Sequence, residues 1–325
     1  MHFRIILSAV LSVLAGLPLF AQQPEDFRSA TFDGTPGLFR TWDAEPILPG
    51  EVFFSGGVLR THRDPGEITL TTGSGGLAIG LFKRFEIFGS WEIQKRVEAP
   101  GVLTYRIPAG EVSRPAQTLL GDRLFSSSAP FIDVPSATGR GDMYGSMKFG
   151  VLSETAGHPF ALSAVGLGKL PGHKTFGGLN RGLTNGDTEV GFGVLASKRL
   201  SGGTHFHANG LWYFAGDPTI EGRGVSDLHH RFIFRGGAAI QVTGPVQVIG
   251  EAELYRYFGH EVPGLDPTQP VDLIFGLRVQ PRRSVSISGG YLASVNRIES
   301  DPDREIRTTP AGGFVVQLGL ALKRD

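Results

Sequence analysis

From Phe85 to Val97 the chain reads FEIFGSWEIQKRV. Phe85, Ile87, Gly89, Trp91 and Ile93 make one alternate set, apolar or small; Glu86, Phe88, Ser90, Glu92, Gln94 and Arg96 make the other, polar apart from Phe88. A period of two puts the sets on opposite faces of a strand. The pattern recurs about a dozen times in segments of roughly 10 to 13 residues, enough to cross a bilayer when tilted. It predicts strands at 51–61, 67–81, 85–97, 142–152, 160–170, 188–198, 204–214, 230–242, 246–258, 271–280, 284–295 and 312–323. In the second, Ile68 and Leu70 are even while Leu77, Ile79 and Leu81 are odd, which predicts a bulge near 73–76.

The connections alternate too. Those after the second, fourth, sixth, eighth and tenth strands are short, as at Lys83-Arg84 and Thr243-Gly244-Pro245; those after the odd strands from the third onward are longer and more polar. Residues 98–140 form the longest break, the length of a functional or disordered loop. An even strand count with short turns on one rim and long loops on the other predicts an all-β fold. It is an antiparallel up-and-down transmembrane β-barrel of about 12 strands (range roughly 10–14), its termini on the periplasmic rim. In a soluble sandwich, the main rival, each apolar face would need a partner sheet and the loop asymmetry would be a coincidence.

Residues 1–21 read as a secretory signal peptide: a weakly basic start at His2 and Arg4, an apolar run over 5–20, and a cleavage site after Ala21. No later run is long and apolar enough for a spanning helix, so insertion must be by strands. Residues 22–50, rich in Gly and Pro, are expected in the periplasm or tucked into the barrel mouth, and 51–325 form the barrel. With 31 basic and 31 acidic residues, the zero net charge gives no reason to expect a nucleic-acid partner. Cys is absent, which excludes disulfides and thiolate metal sites. With 47 glycines and 21 prolines, turns are many and long helices few.

The entry segment Gly37-Leu38-Phe39-Arg40-Thr41-Trp42-Asp43 through Leu48-Pro49-Gly50-Glu51 and the hairpin from Lys83 to Glu92 carry a resemblance. The chain resembles Gram-negative outer-membrane β-barrel proteins, porin-like and of uncharacterised type, without the OmpA-type peptidoglycan-binding domain that some carry after the last strand. The resemblance covers most of the mature chain as pattern. It implies Sec-type export, an outer-membrane location, contact with outer-membrane lipid, and delivery by the barrel-assembly machinery. Such barrels commonly end on an aromatic residue; this chain ends Leu322-Lys323-Arg324-Asp325.

Strand phase selects the residues that line the lumen: Glu86, Glu92, Arg96, Asp142, Lys148, Glu189, Arg231, Arg235, Glu251, Glu253, Asp272 and Arg278. Mixed charges in a barrel of this width either hold a field across a watery pore or pair off and fill it. On the opposite phase, Trp91, Trp212, Phe214, Phe232, Phe234, Phe275 and Phe314 are expected to face lipid. The polar inner face predicts a passive channel for small hydrophilic solutes, with no cofactor and no enzyme activity. A closed structural or adhesive barrel and a lipid-modifying hydrolase are the alternatives. His205, His207 and the pair His229-His230 could meet across a hairpin, but no carboxylate spacing completes a metal site. No Gly-x-Ser-x-Gly elbow occurs. The Gly-x-Gly-x-x-Ala match at 191–196 lies within a strand, without the helix a dinucleotide site needs.

Overall fold

The computed structural model describes residues 28–63, 68–99, 134–173, 181–216, 230–258, 269–295 and 312–322, with short pieces between them. The signal peptide, most of 98–140, His229 and the last three residues lie outside the described residues. Twelve long strands follow the sequence pattern to within about two residues at most ends. They are β1 Val52–Arg63, β2 Ile68–Phe82, β3 Phe85–Glu98, β4 Met143–Leu152, β5 Ala161–Leu170 and β6 Glu189–Leu200. They continue as β7 Thr204–Ala215, β8 His230–Thr243, β9 Val246–Phe258, β10 Val271–Arg282, β11 Val285–Ser294 and β12 Gly312–Leu322.

Each strand pairs antiparallel with the next, and β1 also pairs with β12 from Val52↔Leu322 to Thr61↔Gly313. The sheet therefore closes into a ring without a free edge, which is how strands satisfy their backbone groups in a solvent that cannot. Alternation does the rest. Ile87, Trp91, Met147, Phe149, Phe192, Phe234, Phe275, Phe314, Leu318 and Leu322 are exposed on the outer face. So large an apolar surface fits contact with hydrocarbon, not water. Phe192, Trp212 and Phe232 lie in a row across β6, β7 and β8, with centroids 5.4 and 4.7 Å apart.

The phase break has a different cause from the one the sequence suggests. Even residues of β2 face inward from Ile68 to Gly80. The extra residue sits on β3, where Gly73 pairs with Gln94 and Ser74 with Glu92, leaving Ile93 unpaired. Beyond this bulge β3 swaps faces: Lys95 and Val97 turn inward and buried, and Arg96 turns outward beside Glu98, at 2.5 Å. Arg96 is therefore not a lumen residue. Ile68 and Leu70 face inward because they pack with Val97, Ala99, Ile132 and Leu183 near the long-loop rim. The end of the long break is also regular: Ser136–Gly139 pairs with Lys95–Glu98, carrying β3 beyond its pairing with β4.

The larger departure concerns the N-terminal segment. Residues 29–47, expected in the periplasm or at the mouth, lie within the lumen, nearly all of them buried. They fill its short-turn half. The segment bridges to itself at Ala30↔Pro36 and Gly37↔Trp42, and among the described residues no strand ladder joins it to the wall. Glycines of the wall make room for it. A Cβ on Gly276 or Gly290 would come within 2.7 or 3.1 Å of the Phe39 ring, and one on Gly57 within 2.8 Å of Phe32. Gly34, at φ +89°, turns against the β2 backbone in a conformation that side-chain-bearing residues rarely take. Phe39 and Leu38 pack with Ala239, Ile249, Ile274, Leu292 and Val315 in a core inside the barrel.

Candidate functional site: the plugged lumen

Irregular backbone survives at membrane depth only if its polar groups are met by protein or water. Here the lumen side chains meet them. Glu251 accepts from Phe39 N and Arg40 N at 3.0 and 3.1 Å. Asn209 accepts from Trp42 N at 2.7 Å and donates to Trp42 O at 2.9 Å, so one amide replaces a strand partner. Ser197 Oγ accepts from Ala44 N, and Glu86 accepts from Ile47 N and Thr35 Oγ1. Arg278 donates to the Gly37 and Leu38 carbonyls at 2.9 and 2.8 Å, and Gln317 donates to Ala30 O. Part of the polar phase chosen from sequence is thus a socket for the plug.

Charges complete the socket. Lys148 Nζ lies 2.8 Å from Glu86 and donates to Asp43 O at 2.9 Å. Asp43 is the plug's electrostatic centre, with Arg28 at 3.4 Å, Arg199 at 3.2 Å and His207 at 3.7 Å. Burial alone would raise its pKa; Arg28, His207, Arg199 and Lys148 outweigh burial and hold the carboxyl well below the usual range.

Above the plug is a second polar layer. Glu189 meets Lys169 and Arg231, each at 2.6 Å, and Lys169 reaches Asp142 at 3.4 Å. Glu253 holds Arg235 at 2.9 Å and Arg40 of the plug at 2.5 Å. Between this layer and the plug lies a cavity of about 190 Å³. Phe32, Asp33, Arg40 and Trp42 of the plug line it; the wall adds Tyr144, Tyr213, Tyr255 and Tyr257 and the hydroxyls of Thr61, Thr72, Ser74, Ser90 and Ser146. Arg231 lies over Tyr213 at 4.6 Å and Arg235 over Trp42 at 5.5 Å.

Glu86, Asp142, Lys148, Glu189, Arg231, Arg235, Glu251, Glu253, Asp272 and Arg278 are all buried in the barrel interior, and Glu92 lines the cavity. Trp91, Phe214, Phe234, Phe275 and Phe314 are exposed on the outer face, with Trp212 and Phe232 half-buried in the aromatic row. Tyr255 and Tyr257 share the phase of Glu251 and Glu253, whereas Lys169 and Tyr213 lie on strands from which the sequence pattern selects no lumen charge. Lys95 was hidden by the bulge. Asp43 and Arg28 were hidden because no periodicity marks a plug.

The histidines do not converge. His205 pairs with Ala239 near the short-turn rim, whereas His230 sits at the other rim between Phe214 and Phe258. Among the described residues no cluster of three or more His, Asp or Glu is arranged to hold a metal ion. One arrangement resembles a catalytic triad: Ser197 Oγ is 2.8 Å from His207 Nδ1, and Asp43 Oδ1 is 3.7 Å from the same nitrogen. Serine and carboxylate compete for one ring nitrogen, so no relay runs through the imidazole. All three groups are buried between the plug and the wall, away from lipid.

No family model and no curated protein matches the sequence. Among solved structures the chain is similar to the COG4313 outer membrane channel from Pseudomonas putida F1. That likeness has 10% identity, covers 86% of this chain and 98% of that one, and gives a TM-score of 0.56. It is also similar to the NanC porin, at 7% identity over 83% of this chain and 100% of that one, with a TM-score of 0.49. The chain has the closed twelve-strand fold of outer-membrane barrels; at these identities the likeness is one of fold.

Proposed function

We propose that the protein is an outer-membrane channel for small hydrophilic solutes in a Gram-negative bacterium, with residues 29–47 forming its narrowest section. The observation that carries this reading is the construction of the lumen. A cavity lined by polar and aromatic side chains sits directly on a segment held by side-chain contacts and not by strand pairing with the wall. A segment seated that way narrows a passage without being part of the barrel. The apolar outer face supports insertion in lipid, reached by export and the barrel-assembly machinery.

Single-channel recording tests the proposal. The refolded full chain is expected to give small, discrete conductances in planar bilayers, larger in Arg278→Ala, which removes two donors to the plug. No current from either chain overturns it. That outcome supports the second reading, a closed structural barrel, which the dense pairing of Glu86, Lys148 and Asp43 favours.

A further inference from the structure

The cavity above the plug has a size, a charge state and a distribution of surfaces that together specify what fits it. We propose that it is a binding station for one neutral, ring-shaped polyol of monosaccharide size. This deepens the channel reading and rests on it.

Size comes first. An apolar cavity of about 150 Å³ takes one benzene. At about 190 Å³, this one holds a single six-membered ring with small substituents, and the second ring of a disaccharide would lie outside it.

Charge comes next. Every cation that lines the cavity already has a carboxylate: Arg40 and Arg235 on Glu253, Arg231 on Glu189, and Lys95 on Glu92 at 3.8 Å. An anionic solute must compete with those glutamates, and breaking a buried pair is costly. A cationic solute meets the four basic groups, and Asp33, the lining carboxylate outside these pairs, already accepts from Trp42 Nε1 and Ser90 Oγ. A neutral solute leaves every pair in place.

Surface decides between neutral solutes. Tyr213 on β7 and Tyr255 and Tyr257 on β9 present rings, the last two nearly parallel at 16°. Thr61, Thr72 and Ser74 on β1 and β2, half a ring away, bring hydroxyls beside Leu59 and Leu70. A pyranose has that division, with apolar C–H faces that lie on aromatic rings and hydroxyls at its edge that exchange hydrogen bonds. A plain aromatic solute would leave the threonine and serine hydroxyls without partners.

The test uses the full chain in two ways. In planar bilayers, glucose at millimolar concentration is expected to reduce the current in a saturable way. Glucuronate, sucrose and benzyl alcohol at the same concentration should not. Tyr255→Ala and Thr72→Val should each raise the half-blocking glucose concentration about ten-fold. In detergent, the Trp42 emission of a Trp91→Phe/Trp212→Phe chain should respond to glucose whether or not current flows. Current that glucose blocks no better than glucuronate, or blockade unchanged in Tyr255→Ala, overturns the polyol assignment and leaves the channel standing. Absence of current overturns the channel, and a silent Trp42 overturns the station itself.

Discussion

Lys148 Nζ lies 2.8 Å from Glu86 Oε2, and both side chains are fully buried between the barrel wall and the plug. Adjacent strands supply the two residues, so the wall sets the pair and the plug seals it: Thr35 and Ile47 bond to the same carboxylate. Removing one partner of a buried pair strands the other charge, at a cost of about 3–5 kcal/mol. Lys148→Met is expected to unfold at a lower temperature than the parent on a heat-modifiability gel. Lys148→Met/Glu86→Gln should recover much of the loss. A double variant as weak as the single one would mean the pair is not what stabilises this corner.

Phe39 occupies a recess that exists because Gly276 and Gly290 have no side chains. Phe39→Ala empties it without touching the wall. The barrel strands still pair, so the band shift on boiling should persist, while the plug seats poorly. A cysteine placed at the buried Thr41 should then react with a thiol reagent faster than in the Phe39 parent; equal rates would show that Phe39 does not anchor the segment.

The Asp43 carboxyl carries a pH dependence with a definite sign. Its folded-state pKa is held below the unfolded value of about 3.9. Its contribution is therefore complete above that value and is lost as pH falls through the lower, folded one. The plug should stay seated at pH 5 and loosen only in strong acid, read as protection of the Thr41→Cys thiol. Asp43→Asn should loosen it at pH 7. Loss of protection by pH 5 in the parent would refute the assignment.

Three tryptophans occupy distinct environments. Trp91 is exposed on the outer face, Trp212 belongs to the outer aromatic row, and Trp42 is buried in the lumen. Lipids brominated on their acyl chains should quench single-tryptophan chains retaining Trp91 or Trp212 and spare the one retaining Trp42. Quenching of Trp42 to the same extent would place the plug outside the barrel.

The bulge at Ile93 predicts an inversion over two residues. The native chain has no cysteine. Lys95→Cys should be protected from a bulky thiol reagent and Arg96→Cys labelled. The reverse pattern would restore the unbroken phase that the sequence suggests.

Alternation and the lengths of the connections determined the strand count, the strand positions, the two faces except at the end of β3, and the rim on which the loops are long. A period of two is a local property, and it survives in the sequence because each residue in a closed wall has one side only. Tertiary structure alone decided what the inner face meets. Residues 29–47 have no period, since their partners are Glu251, Asn209, Ser197 and Glu86, scattered over four strands. Such contacts follow from three-dimensional proximity inside the ring. The inversion at Ile93 was equally out of reach, because one unpaired residue changes the face of those after it without changing their order.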